Sequence, residues 1–372
     1  MDNYKCYIDG LFEKLDNKLK KTAVKSRNKL PYTTKNGVHD NRMDDAPDWW
    51  TNGFWGGMMW LMYNATGNQE YKITAQKSEQ LLDTAFLDYD ALHHDVGFMW
   101  HLTSGANYRL TGDKKAYNTN MYMASVLFSR FNIDGNFIRA WNMDFAAGWS
   151  IIDCMMNIPL LYWASRETGD DRFKKVAMRH ADMTICQHVR QDGSVNHIVE
   201  HDLNTGEFIC SHPGQGYASD SCWTRGSAWA IYGCVLSYIH TGKKEYLDAA
   251  VKSADYYIEN VKKSNWLSPI DFRAQTPGLF DSTAGVCAAC GFVEIAKYVQ
   301  NKDKYIDAAL NIIKATDENF CDYSDDEDAI VLHGSEAHPT RPGYKVDMPI
   351  IYGDFFFVEA VLKLKGVDFL IW

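Results

Sequence analysis

A short phrase recurs along this chain and decides its architecture: threonine and glycine, three or four mostly polar residues, then an aromatic ring. It appears at Thr66-Gly67 before Tyr71, at Thr111-Gly112 before Tyr117, at Thr168-Gly169 before Phe173 and at Thr241-Gly242 before Tyr246. A degenerate fifth copy runs from Gln300 and Asn301 to Tyr305. In each copy an apolar helix is predicted to end at a left-handed Gly or Asn, and a new helix begins with small and aromatic residues at helical spacing, as in Tyr246, Ala249, Ala250, Ala254 and Tyr257. The copies lie about 45 to 75 residues apart, and alternating β-branched runs are scarce. The chain is therefore expected to be all-α, built from repeated helical hairpins.

Such hairpins must each hide a face, by stacking into an open solenoid or by closing into a ring. The segments 50–63, 146–165 and 223–239 are apolar nearly all round, as helices walled on every side should be, whereas those after the Thr-Gly turns are amphipathic. Six hairpins in 372 residues give an (α/α)6 barrel. One domain over 1–372 is expected, with 1–45 as an N-terminal helix and lead-in, because no Pro/Gly/Ser linker divides the chain. The net charge is −10 and the cations are scattered, which argues against a nucleic-acid partner. No run of about 18 apolar residues is present, which argues against a membrane span. Nine cysteines without a disulfide-like rhythm suit a reducing, cytoplasmic setting. Cys287-Ala-Ala-Cys290 lies in a small-residue apolar segment with no second pair and no nearby His pair, and reads as core thiols rather than a metal site.

The segments leading into the inner helices are rich in Gly, Asp, His and Trp and would emerge together at one end of the ring. Asp153, in Ile151-Ile152-Asp153-Cys154-Met155-Met156-Asn157, is a carboxyl in one of the most apolar stretches of the chain. Burial there favours the protonated form that a general acid needs; the competing reading is an ion pair to Arg139 or Arg225. Asp95, in His93-His94-Asp95-Val96-Gly97-Phe98, can be a simple helix cap, but two His, a Gly and aromatics around it point to hydroxyl recognition, with Phe98 flooring a sugar ring. The lead-in from Asp48 to Gly57 and the run Arg139-Ala140-Trp141-Asn142 supply Trp faces suited to the apolar faces of sugars. His197 and Gln215 sit in Gly-bearing loops, and Arg225 opens an apolar helix that also holds Trp229, so substrate contacts are expected there. Lys345, with Ser335, His338 and Arg341, crowds a late Gly/Pro-bearing loop. No metal-ligand spacing, phosphate loop or nucleophile elbow is present, so neither metal nor cofactor is expected.

These motifs together, WTNGFW, HHDVGF, RAWN followed by IIDCMMN, NHI, QGY, WTRGSAW and YGDFFFVEA, resemble the unsaturated glucuronyl hydrolases, glycoside hydrolase family 88, from about residue 45 to the end. The resemblance implies the (α/α)6 barrel and hydration of a 4,5-unsaturated uronic acid at the non-reducing end of lyase-generated glycosaminoglycan fragments. It implies Asp153 as the acid that protonates C4 and then deprotonates water, and Asp95 as the holder of the C2 and C3 hydroxyls. His197, Gln215 and Arg225 would surround the uronate, with Trp50, Phe98, Trp141 and Trp229 as walls. The chain departs from members that prefer sulfated disaccharides at Gly214, where those carry a basic residue, which leaves Lys345 as the candidate sulfate contact. Two other readings stay open: a hydrolase of unsaturated galacturonyl-rhamnose from pectin, and an inactive glycan-binding toroid.

Overall fold

The structure, a computed structural model, describes residues 2–274 and 278–372. Among these, twelve helices follow in order: α1 (Asp2–Lys25), α2 (Asn52–Thr66), α3 (Gln69–Leu82), α4 (Ser104–Thr111), α5 (Lys114–Ser129), α6 (Pro159–Thr168), α7 (Asp171–Gln187), α8 (Thr224–Thr241), α9 (Lys244–Val261), α10 (Ser282–Ala296), α11 (Lys302–Phe320) and α12 (Ile351–Lys365). The even-numbered helices form the inner ring, each backed by an odd-numbered outer helix. α12 packs on both α10 and α2, which closes the ring, and α1 packs on α12 and α3. The N-terminal helix serves as the sixth outer helix, docked through Ile8, Leu11, Leu15 and Leu19.

The Thr-Gly phrase does what its chemistry predicts. Gly67, Gly112, Gly169 and Gly242 all end inner helices with φ between 70° and 77°, a conformation that costs an L side chain strain. Asn68, Asp113 and Asp170 then cap the outer helices with their side chains. The fifth copy differs: Asn301 has φ −87° and no left-handed residue ends α10. Since every inner-to-outer turn lies at one end of the ring, the longer outer-to-inner connections gather at the other.

One expected helix forms only in its second half. The segment 146–165 holds a short strand, a 3-10 turn over Ile152–Met156 and only then α6, opened by Pro159 at its first turn. The strands are β1 (Thr34–Lys35), β2 (Val38–His39), β3 (Phe131–Asn132), β4 (Phe137–Ile138), β5 (Trp149–Ile151), β6 (Ile198–His201) and β7 (Phe208–His212). β5 pairs antiparallel with β6, and β6 with β7. Backbone partners distant in sequence thus outweigh the helical periodicity of an apolar run. Cys287 and Cys290 are wholly buried in α10. No helix among the described residues is long and apolar enough to cross a membrane.

Candidate active site

At the open end of the ring lies a cleft of about 310 Å³, walled by Tyr32, Trp49, Trp50, Trp141, Tyr344 and Tyr352 and holding His93, His94, Asp95, Asp153, Gln215 and Glu336. Asp95 stands in the turn before a π-helical turn over Gly97–His101, a geometry common at functional sites. Asn157 organises this region. Its Oδ1 accepts the Phe98 N–H at 2.7 Å, while its amide donates to Asp95 Oδ1 at 3.0 Å and to the Asp153 carbonyl at 3.2 Å. The sequence reading placed this amide beside Asp153 but not among the site residues.

The proton positions follow from the imidazoles. His94 Nδ1 lies 2.7 Å from the Ala140 carbonyl and must donate to it, so its Nε2 lone pair faces Asp95 Oδ1, 3.2 Å away. Burial holds His94 well below its ordinary value and His93 down to about 4, so both rings are neutral. The Asp95 carboxyl is pushed well above the carboxylate range, by burial first and by the charge of Asp153 second. Asp95 is therefore the protonated partner beside a lone pair. His197 has the opposite tautomer: its Nδ1 accepts the Gln215 N–H at 2.9 Å, so its Nε2–H points at Asp153 Oδ1, 3.5 Å away. Gly214 makes room for this ring, since a Cβ there would fall 2.1 Å from His197 Nδ1.

Asp153 is paired with neither Arg139 nor Arg225, and the ion-pair reading falls. Arg139 donates to the carbonyls of Asn142 and Met143. Arg225 is buried against Asp281 and donates to the carbonyls of Ser335 and Glu336, each at 2.6 Å. This corrects the expectation that its guanidinium meets the uronate: the charge is consumed by a buried carboxylate, and its effect is to pin the 335–336 loop. Gln215 Nε2 donates to the same Glu336 carbonyl at 2.7 Å.

Of the expected aromatic walls, Trp50 and Trp141 line the cleft. Phe98 and Trp229 are fully buried and stand behind Trp50, with Phe98 5.6 Å from Trp50 and 5.4 Å from Trp229 between ring centres. They back the wall because α2, α8 and α12 close over them. Lys345 lies outside this cleft and lines an adjoining one with Lys29, Lys35 and Arg42. The two clefts share Tyr32, Trp49 and Glu336. Arg341 is tied to the carbonyls of Gly216 and Tyr217. The sequence missed Tyr32 and Glu336, which hydrogen bond each other at 2.5 Å; Glu336 sits in the loop singled out for Lys345, whereas Tyr32 carries no local signal.

Two carboxyl groups, one kept neutral, in an aromatic cleft at the open end of an (α/α)6 ring define a carbohydrate-active enzyme of the barrel glycosidase class. No family model matches the chain. It is 33% identical over 337 residues to the unsaturated glucuronyl hydrolase of Bacillus sp. (strain GL1), spanning 87% of this chain and 88% of that one. It is 31% identical to the unsaturated chondroitin disaccharide hydrolase of Streptococcus pneumoniae, spanning 84% of this chain and 81% of the relative. The crystal structure of the Bacillus enzyme superposes with a TM-score of 0.87 at 31% identity, over 95% of this chain and 97% of that one. An unsaturated glucuronyl hydrolase from Streptococcus agalactiae complexed with dGlcA-GalNAc6S gives 0.83 at 27% identity, over 99% and 94%. The chain belongs to the unsaturated glucuronyl hydrolase family.

Proposed function

We propose that this enzyme, as a single catalytic domain, releases 4,5-unsaturated uronic acid from the non-reducing end of lyase-made chondroitin or hyaluronan fragments by hydrating the vinyl ether. One continuous apolar core running from Ile8 to Trp372 supports the single domain. The observation that carries the chemistry is the inequality of the two carboxyls. Asp153 keeps Oδ1 free on the cleft wall, whereas Asp95 is bound by Asn157 and held neutral.

The steps balance on Asp153. The reactive form carries a proton on both carboxyls: that of Asp153 goes to C4, and the positive charge that develops at C5 and the ring oxygen is met by the carboxylate this creates. Water adds at C5 and returns its proton to Asp153, and the hemiketal opens to free the partner sugar. Because Asp95 is neutral, ionising Asp153 creates no like-charge pair; the remaining acceptor capacity of the Asp95 carboxyl takes the C2 and C3 hydroxyls. Trp50 and Trp141 stack the sugar, Gln215 lines the cleft beside it, and the His197 N–H points at Asp153. All nine cysteines are free thiols, which supports a reducing, cytoplasmic setting.

The test is to incubate the protein with unsaturated disaccharides from chondroitin, hyaluronan, heparin and pectin and follow the near-ultraviolet absorbance of the conjugated enol ether. Decay with the glycosaminoglycan products, and no cleavage of their saturated counterparts, is expected. Equal cleavage of a saturated glycoside would sink the hydration chemistry. Faster decay with the pectin product would move the substrate to unsaturated galacturonyl-rhamnose, and no turnover of any would leave a glycan-binding toroid.

A further inference from the structure

The β6–β7 hairpin carries a constellation that the hydration chemistry does not use. Glu200 stands directly across from Cys210 in the antiparallel register. Cys210 and His212, two residues apart on β7, project from the same face as Glu200. Their donor atoms converge: His212 Nε2 is 2.6 Å from Glu200 Oε2, and Cys210 Sγ is 3.6 Å from both. All three side chains are partly open to solvent. Spacing along the chain hid this group, because Glu200 joins the other two only through strand pairing.

The dimensions are those of a metal centre. A tetrahedral zinc ion with bonds of about 2.3 Å to sulfur and about 2.0 Å to nitrogen or oxygen holds sulfur about 3.5 Å from each of the other two donors. Cys210 already stands at that separation from both. Only the Glu200–His212 pair must open, by about 0.7 Å, as its hydrogen bond is exchanged for metal bonds. Outside the trio, Trp149 lies against the His212 ring, 4.6 Å between ring centres, and restricts its rotation. A hydrogen-bonded His–Glu pair would need no thiol; a thiol, an imidazole and a carboxylate together are the donor set of a borderline-soft ion rather than of calcium or magnesium.

We propose that Glu200, Cys210 and His212 form a three-ligand site for a zinc-class divalent ion on the β6–β7 hairpin, with its fourth position open to water. A thiolate, a carboxylate and a neutral imidazole cancel the charge of the ion. The thiol proton is released to solvent, and the imidazole proton that Nε2 gives to Glu200 in the free protein moves through solvent to Nδ1, freeing the Nε2 lone pair for the ion. Glu200 follows His197 by three residues and His212 precedes Gln215 by three, and those two are hydrogen bonded across the cleft wall. An ion here clamps the base of the loops that present both, so its role is stability of that wall and not chemistry.

The test strips the purified protein with a chelator and titrates it with Co²⁺ and then Zn²⁺. One equivalent of Co²⁺ should give a near-ultraviolet thiolate-to-cobalt band that Zn²⁺ displaces, and zinc at about a hundredfold above Kd should raise Tm by about 3 °C. Cys210→Ser should abolish the band, and Glu200→Gln should keep it while weakening zinc at least about tenfold. The absence of a stoichiometric band, or an undiminished one in Cys210→Ser, would overturn the proposal; the latter would place the ion on another thiol. Should Cys210→Ser fail to fold by circular dichroism, zinc affinity unchanged in Glu200→Gln would overturn it equally.

Discussion

Oδ1 of Asp153 and Nε2 of His197 lie 3.5 Å apart, both buried and neither with another hydrogen-bond partner. Replacing Asp153 by Asn therefore strands no cation. Asp153→Asn should lower turnover of an unsaturated disaccharide at least about a hundredfold, the usual scale for a general acid, with Tm within a few degrees of the parent. Near-normal turnover would remove Asp153 from the mechanism. A loss of about 3–5 kcal/mol would instead reveal a buried ion pair.

Asn157 satisfies the Phe98 N–H and donates to Asp95, and both lie out of water. Asn157→Ala should cost about 1–3 kcal/mol in chemical denaturation, the usual penalty for stranding a buried polar group. It also removes the amide that draws the Asp95 value down, so the basic limb of the kcat/KM profile should move to higher pH. A profile that stays put while stability falls would confine Asn157 to a structural role.

Lys345 tests how far recognition extends beyond the first sugar. It lines the cleft that adjoins the site across Tyr32, Trp49 and Glu336, so an anionic group on the second sugar or beyond is within its field. Lys345→Ala should raise KM for a sulfated unsaturated disaccharide and leave the unsulfated one nearly unchanged, a charge-assisted contact being worth about 1.5–3 kcal/mol. High salt should erode the same preference. Parallel changes in both substrates, or in neither, would make it an ordinary surface charge.

Asp354 in α12 gives a prediction about pH. Its buried carboxyl accepts the N–H groups of Ile330 and Val331, yet burial outweighs these bonds and pushes it up to about 7 from an ordinary value near 3.8. Between those two values the folded state holds a proton that the unfolded chain has released. The contribution is thus complete below about pH 4 and is lost as pH rises through 7. Asp354→Asn cannot ionise and keeps one acceptor oxygen. Relative to it, the parent should lose stability from pH 4 to 7, by an amount on the order of 4 kcal/mol at most. Parallel stability curves across that range would contradict the assignment.

The parts of the architecture visible in the sequence are those set by local chemistry. A left-handed Gly marks four of the inner-to-outer turns, and in three of them a capping Asn or Asp follows it, without knowledge of any other residue. Asp153 and Asp95 were legible for a similar reason, being carboxyls out of place in apolar or aromatic surroundings. What stayed hidden depends on partners far along the chain. β5 was read as helix because its pairing with β6 lies beyond any local window. Arg225 was read as a substrate contact because Asp281, which absorbs its charge, comes 56 residues later. Phe98 and Trp229 carry the composition of a wall, and only the packing of α2, α8 and α12 shows that they stand one layer behind it.

The seam where α12 closes the ring against α2 is backed by α1, at the opposite end of the chain. During synthesis α1 leaves the ribosome with Ile8, Leu11, Leu15 and Leu19 facing water, and α12, against which it docks, is made after all the other hairpins. A long interval with an uncovered apolar stripe exposes the nascent chain to association with its neighbours, and the final docking joins the most distant parts of the sequence, the slowest kind of contact to form. The same seam is where the finished barrel can come apart at least cost in local structure, so resistance to heat and proteolysis should depend on how firmly α1 is held between α12 and α3.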